Sequence, residues 1–187
     1  GISRQQVDDI GYASHMRAAT ATEAGILRRE MFAVEGCDDD NAPFMVERDQ
    51  GIRASANREK MAALDPVFTS DGVTTAGNSS QISDGAAAAL VMTADQAQKL
   101  GLKPRARIVE MATVGSDPHL MLTGPVPATH KVLKRAGMAL DDIDIYEVNE
   151  AFATVVAMWQ QETGVDMAKV NVHGGAIALG HPLGGSG

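Results

Sequence analysis

The last seventeen residues constrain what this chain can fold into more than any other stretch. They read Asn171-Val172-His173-Gly174-Gly175-Ala176-Ile177-Ala178-Leu179-Gly180-His181-Pro182-Leu183-Gly184-Gly185-Ser186-Gly187. Residues 170–172 read as a short strand that Gly174-Gly175 breaks, and an apolar run then leads into Gly180-His181-Pro182. Glycine lets main chain take shapes closed to other residues and lets it approach a ligand. Pro182 fixes its own φ and pushes His181 toward an extended conformation. The result is one imidazole held stiffly in glycine-rich backbone, a setting that suits a positioned general base or an oxyanion donor. The plainer reading of the same composition is a glycine-rich loop with a surface histidine.

The totals narrow the function classes. At 187 residues the chain can bury one good core or two small ones. With 44% hydrophobic but only 4% aromatic residues, that core must be built from Ala, Val, Ile, Leu and Met. A formal net charge of −8 argues against a nucleic-acid or general polyanion binder, though not against a local basic patch for a phosphorylated ligand. The single cysteine, Cys37, rules out an internal disulfide framework and fits a reducing, cytoplasmic setting. No apolar run approaches the ~20 residues of a membrane span, and no signal sequence opens the chain. The chain starts directly at a helix signal and stops inside a glycine-rich loop, which reads as a piece of a longer protein.

In chain order, Ser3-Arg4-Gln5-Gln6 is a capping box that starts a helix over residues 4–24, stopped by Gly25 and packed through alanines. Residues 26–34 form a loop or short strand. Residues 36–41 form an acidic loop in which Asp38-Asp39-Asp40 lacks the alternation of a metal-binding loop, so no metal is expected. A short helix is expected over 57–64, a β segment over 73–76, and a buried strand over 86–92, although the alanines there also favour helix. Thr93-Ala94-Asp95-Gln96 starts another helix, ending at Gly101. A strand over 105–114, a helix over 125–136, a strand over 145–148, a helix over 149–162 and a strand over 170–172 complete an α/β alternation. Asn149 falls at a strand-to-helix junction. It serves there either as a helix N-cap or as a ligand group at the end of a strand. Glu150 beside it reads either as a favourable charge at a helix start or as part of a site.

Three motifs in order carry a resemblance: Gly77-Asn78-Ser79-Ser80-Gln81-Ile82-Ser83-Asp84-Gly85-Ala86-Ala87, Val148-Asn149-Glu150-Ala151-Phe152-Ala153, and the closing run N-x-x-G-G-x-x-x-x-G-H-P-x-G-x-S-G. Together they resemble the thiolases, the acetyl-CoA acyltransferases. The likeness runs through nearly the whole chain and is weakest over residues 33–46. The segments Ser79–Gly85 and Leu122-Thr123-Gly124-Pro125 look most like thiolases of lipid or steroid degradation. The resemblance implies a layered α/β/α fold, incomplete in this chain. Residues 1–82 would form a loop domain covering coenzyme A, residues 83–104 the end of the N-terminal half, and residues 105–187 a truncated start of the C-terminal half.

The resemblance also implies roles. His181 matches the catalytic histidine, and Asn149 the asparagine that holds an oxyanion-hole water. Glu150 matches a carboxylate near the site. Arg53 matches an arginine close to the phosphorylated end of coenzyme A, where a guanidinium suits phosphate; the plainer reading is an exposed loop arginine. Ala76 and Ser80 match small residues against the pantetheine arm. Gly180, Pro182 and Gly184 support the loop, with Gly187 also expected to open backbone toward the site and Ser186 to cap a following helix. His173 stands where the motif more often has Asn, and reads as structural.

The implied activity is thiolytic cleavage of a 3-ketoacyl-CoA, or the reverse Claisen condensation, through an acyl-cysteine, with coenzyme A as substrate and no prosthetic group. The implied assembly is a homodimer or homotetramer. Both catalytic cysteines would lie outside these residues, so the chain alone is expected to be inactive. Cys37 with His181 and Asn149 mimics the residue types of papain-like proteases. The local signature of such a cysteine is absent, and its acidic neighbours are unlike the electropositive setting of reactive thiols. The alternative function is a non-catalytic thiolase-like protein that binds CoA thioesters. A serine hydrolase is disfavoured because no Gly-x-Ser-x-Gly elbow exists here.

Overall fold

A computed structural model describes residues 1–186 of the chain; Gly187, to which a backbone role falls above, lies outside the described residues. Helix α1 (Arg4–Glu23) begins as its capping box requires. The Ser3 hydroxyl accepts from the Gln6 N–H at 3.2 Å, and the Gln6 side chain accepts from the Ser3 N–H at 2.8 Å. The helix buries Val7, Gly11, Ser14, Ala18 and Ala21, a face of mostly small residues spaced three and four apart. That face lets α1 lie close against helix α5 (Ala153–Thr163), the one-turn helix α6 (Ala176–Leu179) and the 3-10 turn at Ala76–Asn78.

Two apolar clusters form around this packing. Val7, Ala153, Ala157 and Ile177 fill the space between α1, α5 and α6. Val148, Val156, Trp159, Val165 and Val170 form the other, with the Tyr146 and Trp159 rings 5.1 Å apart. The Trp159 indole N–H reaches the Thr129 hydroxyl at 2.9 Å on helix α4 (Pro125–Ala136), so the largest buried ring has its polar atom satisfied.

Helix α4 spans the expected residues, with proline in its first turn and Gly137 at φ +68° closing it. Helix α3 (Ala94–Lys99) starts at the Thr93 cap, and helix α2 (Arg58–Ala62) is shorter than expected, with Asn57 as its cap. Residues 33–46 hold an antiparallel hairpin not anticipated above, strands β1 (Val34–Cys37) and β2 (Pro43–Val46) with Val34 opposite Val46. Asp38 turns the hairpin: its carboxylate accepts from the N–H groups of Asp40 and Ala42.

Mixed helices and strands agree with the α/β class, but several expected strands are not formed as ladders among the described residues. Residues 145–148 and 170–172 meet in a single parallel bridge, Tyr146 to Val170, made by two backbone hydrogen bonds of 2.9 and 2.8 Å. Residues 73–76 instead lead into the 3-10 turn capped by Thr75. Residues 86–92 and 105–114 carry no ladder. A strand is defined by a neighbour about 4.8 Å away that takes its N–H and C=O groups, and no such backbone pairing to these two segments is formed among the described residues. The helix expected from residue 149 starts four residues later, with Phe152 at its N-cap position.

Candidate active site

The three motifs, separated by up to a hundred residues in sequence, meet at one place. Ser79 bridges Phe152, and the Ser80 N–H donates to the Ala151 carbonyl at 3.0 Å, so the first motif runs along the second. The His181 N–H donates to the Gln81 carbonyl at 3.0 Å, which brings the third motif onto the first. Gly180, at φ +94°, lies so close to Ser83 that a side chain there would overlap its hydroxyl. Pro182 packs over Gly85. By contrast, Gly184 is exposed, and among the described residues nothing stands where its β-carbon would be.

This arrangement sets His181 beside Asn149. The Asn149 Nδ2 lies 3.3 Å from His181 Nε2. On the other side of the ring, His181 Nδ1 bonds the Ser186 hydroxyl, and that hydroxyl also donates to the Pro182 carbonyl at 3.1 Å. With its proton directed at the Pro182 carbonyl, the Ser186 oxygen accepts from Nδ1–H. The ring is then the Nδ1–H tautomer, and Nε2 carries the lone pair that faces the Asn149 amide. Ser186 thus orients the imidazole. Asn149 is no helix cap, because α5 begins beyond it and its amide is turned to the ring.

Glu150 has a different place from its neighbour. It is 2% exposed, and its carboxylate accepts from the Ser14 hydroxyl at 2.6 Å, the Asn171 amide at 2.8 Å and the Ile177 N–H at 3.1 Å. The Ser14 hydroxyl also accepts from the Gly175 N–H at 3.0 Å. Asn171 in turn holds both backbone groups of Val148 at 2.8 Å. This grip keeps Asn171 at φ +48°, a left-handed conformation that a non-glycine residue holds only when its surroundings fix it. Burial raises the Glu150 carboxyl above its ordinary value, opposed by the hydrogen bonds from Ser14, Asn171 and Ile177. All of these bonds go to α1, residue 171 and the start of α6; none goes to His181 or Asn149. Glu150 therefore fastens the segments that carry those two residues.

The remaining candidates lie toward the other end. Arg53 is exposed, and its backbone N–H donates to Nδ1 of His15 at 3.2 Å. His15 is buried on α1; burial and the Arg53 charge lower its pKa, so the ring is a neutral acceptor. Next to this segment a cavity of about 650 Å³ opens between α1 and β2, lined by Thr22, Phe44, Arg48, Asp49, Ile52 and Ala54. Neither His181 nor Asn149 lines it. Ala76 is exposed in the 3-10 turn, and Ser80 is half-buried beside Ala151. His173 is exposed, and Cys37 is exposed in the hairpin. Among the described residues no group of three His, Cys, Asp or Glu side chains converges as a metal site, and no helix is long and apolar enough to cross a membrane. Sequence reasoning missed Ser14, Gln81 and Asn171; the contacts that give them meaning reach across 21 to 161 residues.

Comparison with known proteins points the same way. Residues 1–95 match the family model "Thiolase, N-terminal domain" and residues 102–187 match "Thiolase, C-terminal domain". The 3-ketoacyl-CoA thiolases of Hahella chejuensis and Aeromonas hydrophila are 52% and 50% identical over the whole of this chain. The chain spans 49% of the length of each of these relatives. The crystal structure of the Bacillus anthracis acetyl-CoA acetyltransferase superposes on 98% of the chain with a TM-score of 0.93 at 37% identity, covering 46% of that protein. That of human mitochondrial 3-ketoacyl-CoA thiolase superposes on 99% with a TM-score of 0.90 at 40% identity, covering 47% of that protein. With the motifs gathered at one imidazole and both halves of the family model matched in order, the chain belongs to the thiolase family and has its α/β fold.

Proposed function

We propose that this chain supplies the histidine–asparagine part of the active site, and the segment that grips coenzyme A, in an acyl-CoA acyltransferase of the 3-ketoacyl-CoA thiolase type. The observation that carries the reading is the pairing of His181 Nε2 with the Asn149 amide at 3.3 Å, with the ring fixed through Nδ1. A cysteine thiol contributed from outside these residues would give its proton to the lone pair on Nε2, displacing the Asn149 amide from it. The resulting thiolate attacks the thioester or 3-keto carbonyl. Once protonated, Nε2–H donates to the oxygen on which negative charge develops, and the Asn149 amide, directly or through a water, supplies the second donor. Collapse of the tetrahedral species leaves the acyl group on the cysteine and expels the CoA thiolate from a thioester, or the acetyl-CoA carbanion from a 3-ketoacyl-CoA. A second cysteine carries the proton to and from the acetyl-CoA carbanion.

Within this reading Glu150 is a positioning group, not a proton carrier, because all of its hydrogen bonds serve the scaffold. Residues 1–82 form the part that covers coenzyme A, residues 83–104 close the N-terminal half and residues 105–187 open the C-terminal half. Arg53 meets the phosphorylated end of coenzyme A, and Ala76 and Ser80 leave room for the pantetheine arm. Coenzyme A and its thioesters are substrates, no prosthetic group takes part, and the protein acts in the cytoplasm as a homodimer or homotetramer.

The test uses a polypeptide that carries this chain at the full length of its curated relatives. His181→Ala and Asn149→Ala each lower kcat for thiolysis of acetoacetyl-CoA by on the order of 10²–10³. Unchanged turnover in either variant overturns the reading. Tight binding of acetyl-CoA without any turnover by the unmodified polypeptide would favour a non-catalytic thioester-binding protein instead. The 187-residue chain alone turns over no acetoacetyl-CoA, since its only cysteine, Cys37, lies exposed in the hairpin.

A further inference from the structure

Gln81 joins two segments that the proposed reaction needs at a fixed separation. Its amide nitrogen has two hydrogens. It donates to the Gly51 carbonyl at 2.9 Å and to the Ile177 carbonyl at 2.9 Å, with the Ala178 carbonyl further off at 3.4 Å. Its backbone carbonyl accepts from the His181 N–H. The Ile177 and Ala178 carbonyls belong to the single turn of α6, whose final carbonyls have no partner within the helix, so an amide arriving from elsewhere answers a real need. Gly51 lies two residues before Arg53. A β-carbon at Gly51 would stand 2.6 Å from the Gln81 side-chain oxygen and 2.7 Å from its nitrogen, so this close approach exists only because residue 51 has no side chain.

We infer that Gln81 is a positioning residue that couples the Arg53 segment to the His181 loop, so that a CoA thioester gripped at its phosphorylated end presents its carbonyl to the imidazole. The inference rests on the reading of Arg53 and His181 given above. One residue fastens both ends. The side chain spans from the turn before Arg53 to the last turn before His181, and the main chain holds His181 itself. On the far side, the Arg53 N–H is tied to His15. The Arg53 segment therefore has two anchors, one to α1 and one to Gln81, and only Gln81 bonds both that segment and His181 itself.

A residue that merely stabilised the fold would lower the melting temperature and leave kinetics alone. A coupling residue changes KM and kcat together. Gln81→Met keeps length and bulk and removes both donors. Gly51→Ala leaves Gln81 in place but displaces its amide, and it introduces no backbone strain because Gly51 has no positive φ. In the full-length polypeptide each substitution raises KM for CoA and lowers kcat for thiolysis, by about fivefold to tenfold each, the loss expected for one or two neutral hydrogen bonds. The two substitutions together cost no more than the worse one alone. In an Arg53→Ala background, Gln81→Met no longer moves KM but still lowers kcat.

A melting shift with kcat and KM unchanged, or full additivity of Gln81→Met with Gly51→Ala, overturns the inference. Amide hydrogen exchange on the unliganded polypeptide separates it from the functional reading. If the unmodified polypeptide shows no turnover, the reading of Arg53 and His181 fails, but Gln81→Met must still speed exchange at residues 50–53 and 177–181 together. Faster exchange in one segment without the other contradicts the coupling.

Discussion

Val156 and Ile108 are both β-branched and apolar, yet Val156 is fully buried and Ile108 is 59% exposed. The difference extends to their surroundings. Around Val156, helices α1, α5 and α6 and residues 146–148 and 165–171 present apolar faces to one another. Around Ile108, residues 86–92 and 105–122 also carry apolar side chains, among them Leu90, Val91, Val109, Met111 and Leu120, but these are exposed. Burial belongs to pairs of faces and not to residues. An α-helix brings its own hydrogen bonds and needs only a surface to lie on, whereas a buried strand needs neighbours on its edges and on both faces. The candidate site grew in the first region, where three loops are stitched to packed helices, and such sites are held more firmly than sites on free loops.

The sharpest way to break this comparison is to cut into both regions. Trp159→Ala removes a ring that is 1% exposed, together with the indole bond to Thr129, and lowers stability by about 3–5 kcal/mol in thermal or denaturant unfolding. Val109→Ser in the same 187-residue chain changes stability by no more than about 0.5 kcal/mol. In a polypeptide at the length of the relatives, Val109→Ser becomes costly if the remaining sequence covers this face. An equally small effect there would show that the face stays bare.

A smaller effect tests the polar centre of the packed region. Glu150→Gln keeps the shape but turns an NH₂ toward one of three donors, and costs about 1–3 kcal/mol. The pH dependence carries a definite sign. The folded carboxyl is raised above its ordinary 4.5, so the native state holds its proton more readily than the unfolded chain. Stability from this group is therefore greatest below 4.5 and declines as pH rises through the raised value. Subtracting the Glu150→Gln profile from the parent profile isolates that decline; a difference that grows with pH in this window would contradict the assignment.

The smallest effect lies at the border with the hairpin. His15 is depressed below 6.5, first by burial and then by Arg53, so its contribution is full above 6.5 and is lost as pH falls through the lowered value. Proton entry at Nδ1 also removes the acceptor for the Arg53 N–H. His15→Asn supplies a carboxamide acceptor that does not titrate. Its melting temperature should be flatter than the parent's below pH 6.5, and a parallel pair of curves would sink the claim.

The same contrast explains what the sequence could disclose. Helices α1 and α4 were legible because their signals are local: Ser3 with Gln6, Pro127 in the first turn, Gly25 and Gly137 after the last. Residues 86–92 and 105–114 were read as strands and form no ladder among the described residues, because pairing depends on partners far from the local pattern. Asn149 was misread as a helix start, since its amide is claimed by an imidazole 32 residues away. The motifs that meet at His181 were readable as motifs. The residues that make them meet were not, because Ser14, Gln81 and Asn171 carry no chemistry of their own and act only through distant partners.

The central claim is that the His181 ring and the Asn149 amide serve one developing oxyanion. A double-mutant cycle on kcat/KM for thiolysis in the full-length polypeptide tests it most directly. If the two groups act as a unit, His181→Ala with Asn149→Ala together lose little more than the worse single variant. If the losses multiply, the two side chains stabilise different charges, and the shared site proposed here is wrong.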